Sequence, residues 1–170
     1  MIIKNKTIAV DDWTVLRPEE NDTPHDVAVP NGKIIVPLKV WLAQRDVLQG
    51  RADLGVWLAS HERAEDLKND LAKFSVIAVD FPKFADGRGY TIALHLRTRL
   101  GYTGELRAIG DVLRDQMFYL QRVGFDAFAT RSDKDIGAAL NGLNDFSVTY
   151  QASSDESVPL FRRVQRGGGL

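Results

Sequence analysis

The sequence predicts an α/β protein of repeated βα units around a mostly parallel sheet. The order is sequential, like part of a β/α barrel, rather than doubly wound, and a small β-hairpin precedes it. Three observations predict this. Short, β-branched apolar runs begin near Lys33, Leu54, Val76, Leu106, Ala127 and Phe146, a recurrence of roughly 20 to 30 residues that suits strand–helix–strand crossovers. Segments with apolar residues at helical spacing separate them. The units keep a steady length and carry no Gly-rich dinucleotide fingerprint, which favours crossovers stepping in one direction over a single reversal.

Taken in order, Thr7-Ile8-Ala9-Val10 and Trp13-Thr14-Val15-Leu16 flank Asp11-Asp12 and read as a hairpin. Arg17 to Pro30 has acids, three prolines and little periodicity, and is a surface loop. Asn31-Gly32 turns the chain into the strand Lys33–Val36, and Pro37 suits the first turn of a helix over Leu38–Leu48. Leu54–Ala59 is the next strand, and Ala64–Phe74 carries Leu67, Leu71 and Phe74 at helical spacing. Two complete units follow. Strand Val76–Val79 leads through Asp86-Gly87-Arg88-Gly89 to a helix from Tyr90 to Leu100. Strand Leu106–Ile109 leads through Gly110-Asp111 to a helix from Val112 to Val123. Ala127–Ala129 is a further strand, Ile136–Leu143 a short helix and Phe146–Tyr150 a last strand. Residues 1–152 form one domain, of which 1–32 are hairpin and loop. The polar stretch 153–170 is expected to be disordered.

Composition narrows the chemistry. The 170 residues include no cysteine, which excludes disulfides, thiolate nucleophiles and cysteine-held metals. His25, His61 and His95 lack ligand spacing, so no metal is expected. A net charge of −1 argues against bulk binding to nucleic acid or anionic membrane. No apolar run is long enough to span a bilayer, and the first residues lack the apolar core of a signal peptide, so the expected location is the cytoplasm. No side chain here cycles electrons, and any cofactor is left unidentified.

Polar residues collect after the strands, where parallel sheets place their sites. Lys83, Gly87, Arg88 and Gly89 lie in a helix-start loop that could hold an anion on backbone N–H groups and formal charge. A tight turn is the competing reading. Asp111 is placed to cap the following helix, and with Asp80 it is a candidate acid/base. Arg114 and Arg131 extend the same rim. Arg107 interrupts an apolar strand; Glu105 shares its face by the period-two rule, and a structural pair ranks ahead of ligand binding. The sharpest expectation is that Lys83, Gly87, Arg88 and Gly89 line one concavity with Asp111 and Arg114. Tyr90, Phe118 and Tyr119 read as core or half-buried helix residues.

The segments AVDFPKFADGRGYTIALHLRTRLGYTGELRAIGDVLRDQMFYLQRVGFDAF, VPLKVWLAQRD, LGVWLAS and DFSVTYQ resemble a bacterial family of uncharacterised proteins. The family is encoded beside assimilatory sulfite reductase and adenylyl-sulfate reductase genes. The resemblance runs from about Pro37 to Gln151, and it implies a pathway without a reaction. Relatives carry a cysteine just before the GFDAF motif, where this chain has Val123, so a thiol mechanism at that position is not carried over. Three readings follow. The protein is an accessory that binds a small anion or a partner sulfite or adenylyl-sulfate reductase; or a small enzyme using Asp80 or Asp111; or a structural subunit whose open sheet edges are covered in a homo-oligomer.

Overall fold

The computed structural model describes residues 1–144, 152–154, 156–159 and 162. It is a mixed α/β structure around one eight-stranded sheet. The strands are β1 (Ile2–Lys4), β2 (Thr7–Ala9), β3 (Thr14–Val15), β4 (Ile34–Pro37), β5 (Leu54–Leu58), β6 (Val76–Phe81), β7 (Glu105–Gly110) and β8 (Ala127–Phe128). Their spatial order is β2-β1-β8-β7-β6-β5-β4-β3. From β3 to β8 every neighbour is parallel and consecutive in sequence, while β1 joins β8 and β2 antiparallel. The sequential order expected from unit length is therefore present.

The connection between β2 and β3 shows how strongly the sheet curls. These two strands are the opposite edges, seven interstrand spacings apart, or about 34 Å along the sheet. Only the five steps from Ala9 to Thr14 join them, and such a segment reaches at most about 18 Å. So short a chord across so long an arc requires the sheet to bend through more than half a turn. The result is a partial barrel, with Val10–Trp13 as a strap over its open side.

The expected hairpin over residues 7–16 is thus corrected. The hairpin joins β1 to β2 through Asn5 and Lys6, whose φ values of 49° and 62° give the twist that two-residue hairpin turns favour. Asp11-Asp12 is no turn, because Asp11 is drawn to Arg107 in the barrel. Three-residue β1 carried too little periodicity to be read.

Helices α1 (Leu38–Leu48), α2 (Arg88–Thr98), α3 (Arg114–Arg122) and α4 (Ile136–Asn141) contribute to the larger core on the convex face. There Trp41, Leu96, Met117 and Leu120 meet Val36, Val56, Val79 and Leu106. The concave face holds a smaller cluster of Ile35, Val76, Ala78 and Ile109, with Trp13, Val15 and Trp57 against it. Alternation decides the two sets: the register Pro37–Trp57–Ala78–Arg107–Ala127–Lys4 forms one inward row across the sheet.

The helix expected over Ala64–Phe74 is replaced by two single 3-10 turns, Ala64–Leu67 and Leu71–Lys73. Between them Asp70 turns inward. Its Oδ2 accepts from Trp41 Nε1 at 3.0 Å and pairs with Arg45 at 2.7 Å, and Lys73 reaches Oδ1 at 3.1 Å. Burial pushes this carboxyl up, but the Trp41 and Lys73 hydrogen bonds and the Arg45 charge outweigh it and hold it below the ordinary range. A carboxylate anchored by three side chains from two elements breaks the helix more cheaply than it could be desolvated unpaired. Arg97 is a second anchor, donating to the carbonyls of Tyr102, Gly104 and Gly124 and to Asp126. It ties both loops below β7 and β8. The expected strand at 146–150 and most of the expected tail lie outside the described residues.

Candidate functional site

The C-terminal ends of the parallel strands form a rim with three Asp–Arg pairs. Asp80 points into the barrel from β6, and Arg17 crosses from beyond β3 to donate to its Oδ1 at 2.6 Å. The guanidinium stacks on Trp57, 5.2 Å from the ring centroid, and Trp57 Nε1 donates to the Leu16 carbonyl at 3.0 Å. Gly110 makes room for this arrangement. Its φ is +91°, and a Cβ there would lie 2.5 Å from the Phe81 carbonyl and 2.7 Å from Asp80 Oδ1.

Arg88 grips Asp86 through Nε at 2.9 Å and Nη2 at 2.7 Å. The Arg88 hydrogen bonds, with one from Ser60, hold the Asp86 carboxyl far below the usual carboxylate range. Asp111 does not cap α3. Its Oδ2 accepts from the Phe84 amide at 2.9 Å and its Oδ1 from Arg131 at 3.2 Å, so it ties the loop after β6 to the loop after β8. The start of α3 is served instead by Gln116, whose side chain accepts from the Leu113 amide at 3.0 Å and donates to the Phe84 carbonyl at 3.1 Å. Neither Gln116 nor Arg17 stands out in the sequence, since the contacts with Phe84 and Asp80 cross between loops.

The loop glycines divide in role. Helix α2 starts at Arg88, two residues earlier than expected. Gly89 is buried there, and a Cβ on it would sit 2.6 Å from Cζ and 2.7 Å from Cε1 of Phe81. It serves close helix–strand packing. Gly87 is exposed, with open space where its Cβ would be, and Lys83 is exposed beside it.

Arg88 and Arg114 stand at the same end of the sheet but line different hollows. Arg88 borders one of about 590 Å³ between α2 and the turn after β5, with His61, Arg63, Glu65, His95 and Arg99. Arg114 borders another of about 240 Å³ with Thr130, Lys134, Asp135 and Ala138. The larger hollow brings together Arg88, His61 and His95, considered separately in the sequence, with Arg63 and Arg99, which no motif marks. Glu62 also lines it; burial pushes that carboxyl up, partly offset by the Ala59 amide, which donates to it at 2.6 Å. His95 Nδ1 lies 3.4 Å from Glu65. Tyr119 is exposed, contrary to its expected half-burial.

Arg107 is deep in the barrel, 2% exposed. Its Nε donates to Glu105 at 2.8 Å, and its Nη1 reaches both oxygens of Asp11 at 2.9 and 3.0 Å. The expected pairing with Glu105 is present, and Lys4 adds a contact to Glu105 at 2.6 Å. Among the described residues no group of three or more His, Cys, Asp or Glu could hold a metal ion. Nor is any helix among them long and apolar enough to cross a membrane.

Residues 55–161 match the family described as bacterial protein of unknown function (DUF934), and the chain belongs to that family. No curated protein and no solved structure matches it.

Proposed function

We propose that this is an accessory protein of sulfate assimilation that takes up a small sulfur oxyanion at the strand-end rim and its adjoining hollow. One observation carries the reading: in the Arg17–Asp80 and Arg88–Asp86 pairs the carboxylate is the more buried member and the guanidinium faces solvent. Side-chain exposure is 48% for Arg17 against 12% for Asp80 and 62% for Arg88 against 12% for Asp86, whereas Arg131 is held by Asp133 through Nε and Nη2 as well as by Asp111. The aspartates hold the guanidinium planes in place, and the outward N–H groups remain available for an oxyanion. Arg63 and Arg99 carry positive charge on into the larger hollow, which His61, His95, Glu62 and Glu65 also line. The pathway comes from the motifs around DFPKF and GELRA, whose resemblance implies a setting beside sulfite and adenylyl-sulfate reductases.

The test is calorimetric titration with sulfate, sulfite and adenylyl sulfate against chloride at equal ionic strength. Binding of at least one, lost in Arg88→Ala and Arg99→Ala, is the expected result. Responses that match chloride for all three would overturn it. Docking of the reductase on the same rim is a second reading, favoured by Phe84, an exposed aromatic on the loop that carries Lys83. Co-purification with the reductase, lost in Phe84→Ser, is its signature.

A further inference from the structure

A different feature lies at the other mouth of the barrel. We propose that Arg107 and Lys4 form a second oxyanion site, for a carboxylate-type monoanion, which the strap residue Asp11 occupies as a built-in competitor. The strap is held by side chains rather than by backbone pairing. Val10 and Asp12 are exposed, and neither makes a backbone–backbone hydrogen bond among the turns and loops of the described residues. Its flanking strands are short, two residues in β3 and three in β2. It is fastened from inside by Asp11, chelated by Arg107 Nη1 and accepting from the Trp13 amide at 3.2 Å, and by the Trp13 ring, which packs against the small concave-face cluster. Asp12 adds an exposed pair with Lys33.

The charges say what can replace Asp11. Lys4 and Arg107 face Glu105 alone once Asp11 leaves. One positive charge would then be uncompensated on a buried guanidinium, which is costly. The strap therefore leaves when an anion of single charge takes its place, and an empty site is the unfavourable state. The mouth has room beside it: a hollow of about 490 Å³ is bordered by Lys4, Trp13, Lys33, Ser75 and Glu105. Trp13 sits in its wall with Lys33 6.0 Å from the ring centroid, so movement of the strap opens the hollow toward Arg107. A tethered carboxylate competes at an effective concentration on the order of millimolar; removing it tightens binding of an external one.

The experiment is an NMR titration of the full chain with sodium acetate, against sodium chloride at equal ionic strength, on wild type, Asp11→Asn and Lys4→Ala. In wild type acetate should move the Trp13 amide toward its position in Asp11→Asn. The Asp11→Asn protein should bind acetate about tenfold more tightly, and Lys4→Ala should bind it more weakly than wild type. Hydrogen exchange over residues 10–16 of the wild type should quicken with acetate and not with chloride, a readout that needs no variant to fold. Equal affinity of wild type and Asp11→Asn, or strap exchange indifferent to acetate, would overturn the proposal. The rim variants Arg88→Ala and Arg99→Ala leave acetate binding here unchanged, so failure at one site is separable from failure at the other.

Discussion

Replacing Gly89 with Ala tests whether that glycine is there for packing. The added methyl would meet Phe81 Cζ at 2.6 Å and Cε1 at 2.7 Å, well inside carbon–carbon contact. The ring cannot retreat freely. Phe81 is fully buried, with Tyr90 edge-on at a centroid distance of 5.6 Å and Phe125 at 5.9 Å. Overpacking of this kind costs about 1–3 kcal/mol. Against it stands the helix preference of alanine over glycine, worth up to about 1 kcal/mol and less in a first turn. The expected net loss is about 1–2 kcal/mol, seen in urea as a lower midpoint at unchanged slope. In a thermal scan it is a drop of about 3–6 °C. The double variant Phe81→Leu with Gly89→Ala should recover most of the second loss, because leucine has no atom at the Cζ position. A neutral or stabilising Gly89→Ala, or additive losses in the double variant, would refute the packing argument.

Asp70→Ala should cost about 2 kcal/mol, chiefly by stranding the buried Trp41 N–H; Arg45 and Lys73 are part-exposed and recover water. Asp70→Asn can still accept from Trp41 and should lose about half as much, as measured by urea unfolding. Glu62 is an acid whose folded pKa is raised by burial, so the folded state holds its proton longer and stability falls as pH rises above the ordinary carboxylate range. Glu62→Gln should therefore raise Tm at about pH 7 and leave it near wild type at about pH 4; the reverse pattern would count against the burial of that carboxyl. Arg88→Ala should keep a wild-type urea midpoint, since its pair with Asp86 is at the surface.

How much was legible depends on the range of each interaction. Strand spacing, apolar runs and crossover handedness are local properties, and they sufficed for a sequential parallel sheet and for the helices at Leu38–Leu48 and after Gly87. The pairing of Arg107 with Glu105 was legible too, because two residues apart on a strand means the same face. The contacts that shape the candidate sites were not, because they join residues far apart in the chain. Asp11 meets Arg107 across 96 positions, Arg17 meets Asp80 across 63, and Phe84 meets Asp111 across 27. Asp11-Asp12 is turn-like by itself, and only curvature of the sheet, which no local pattern encodes, brings β2 and β3 within reach of one strap. The glycines carry the same lesson. Gly89 and Gly87 are equivalent in a loop motif, and only the ring of Phe81 makes one a packing position and leaves the other open. Local pattern was enough to place the parallel strands β4 to β8 and the direction in which they step, but not β1 or its hairpin with β2. The tertiary structure decided which charges face one another, because pairing energy depends on distance and burial, and both are set by how far the sheet curls.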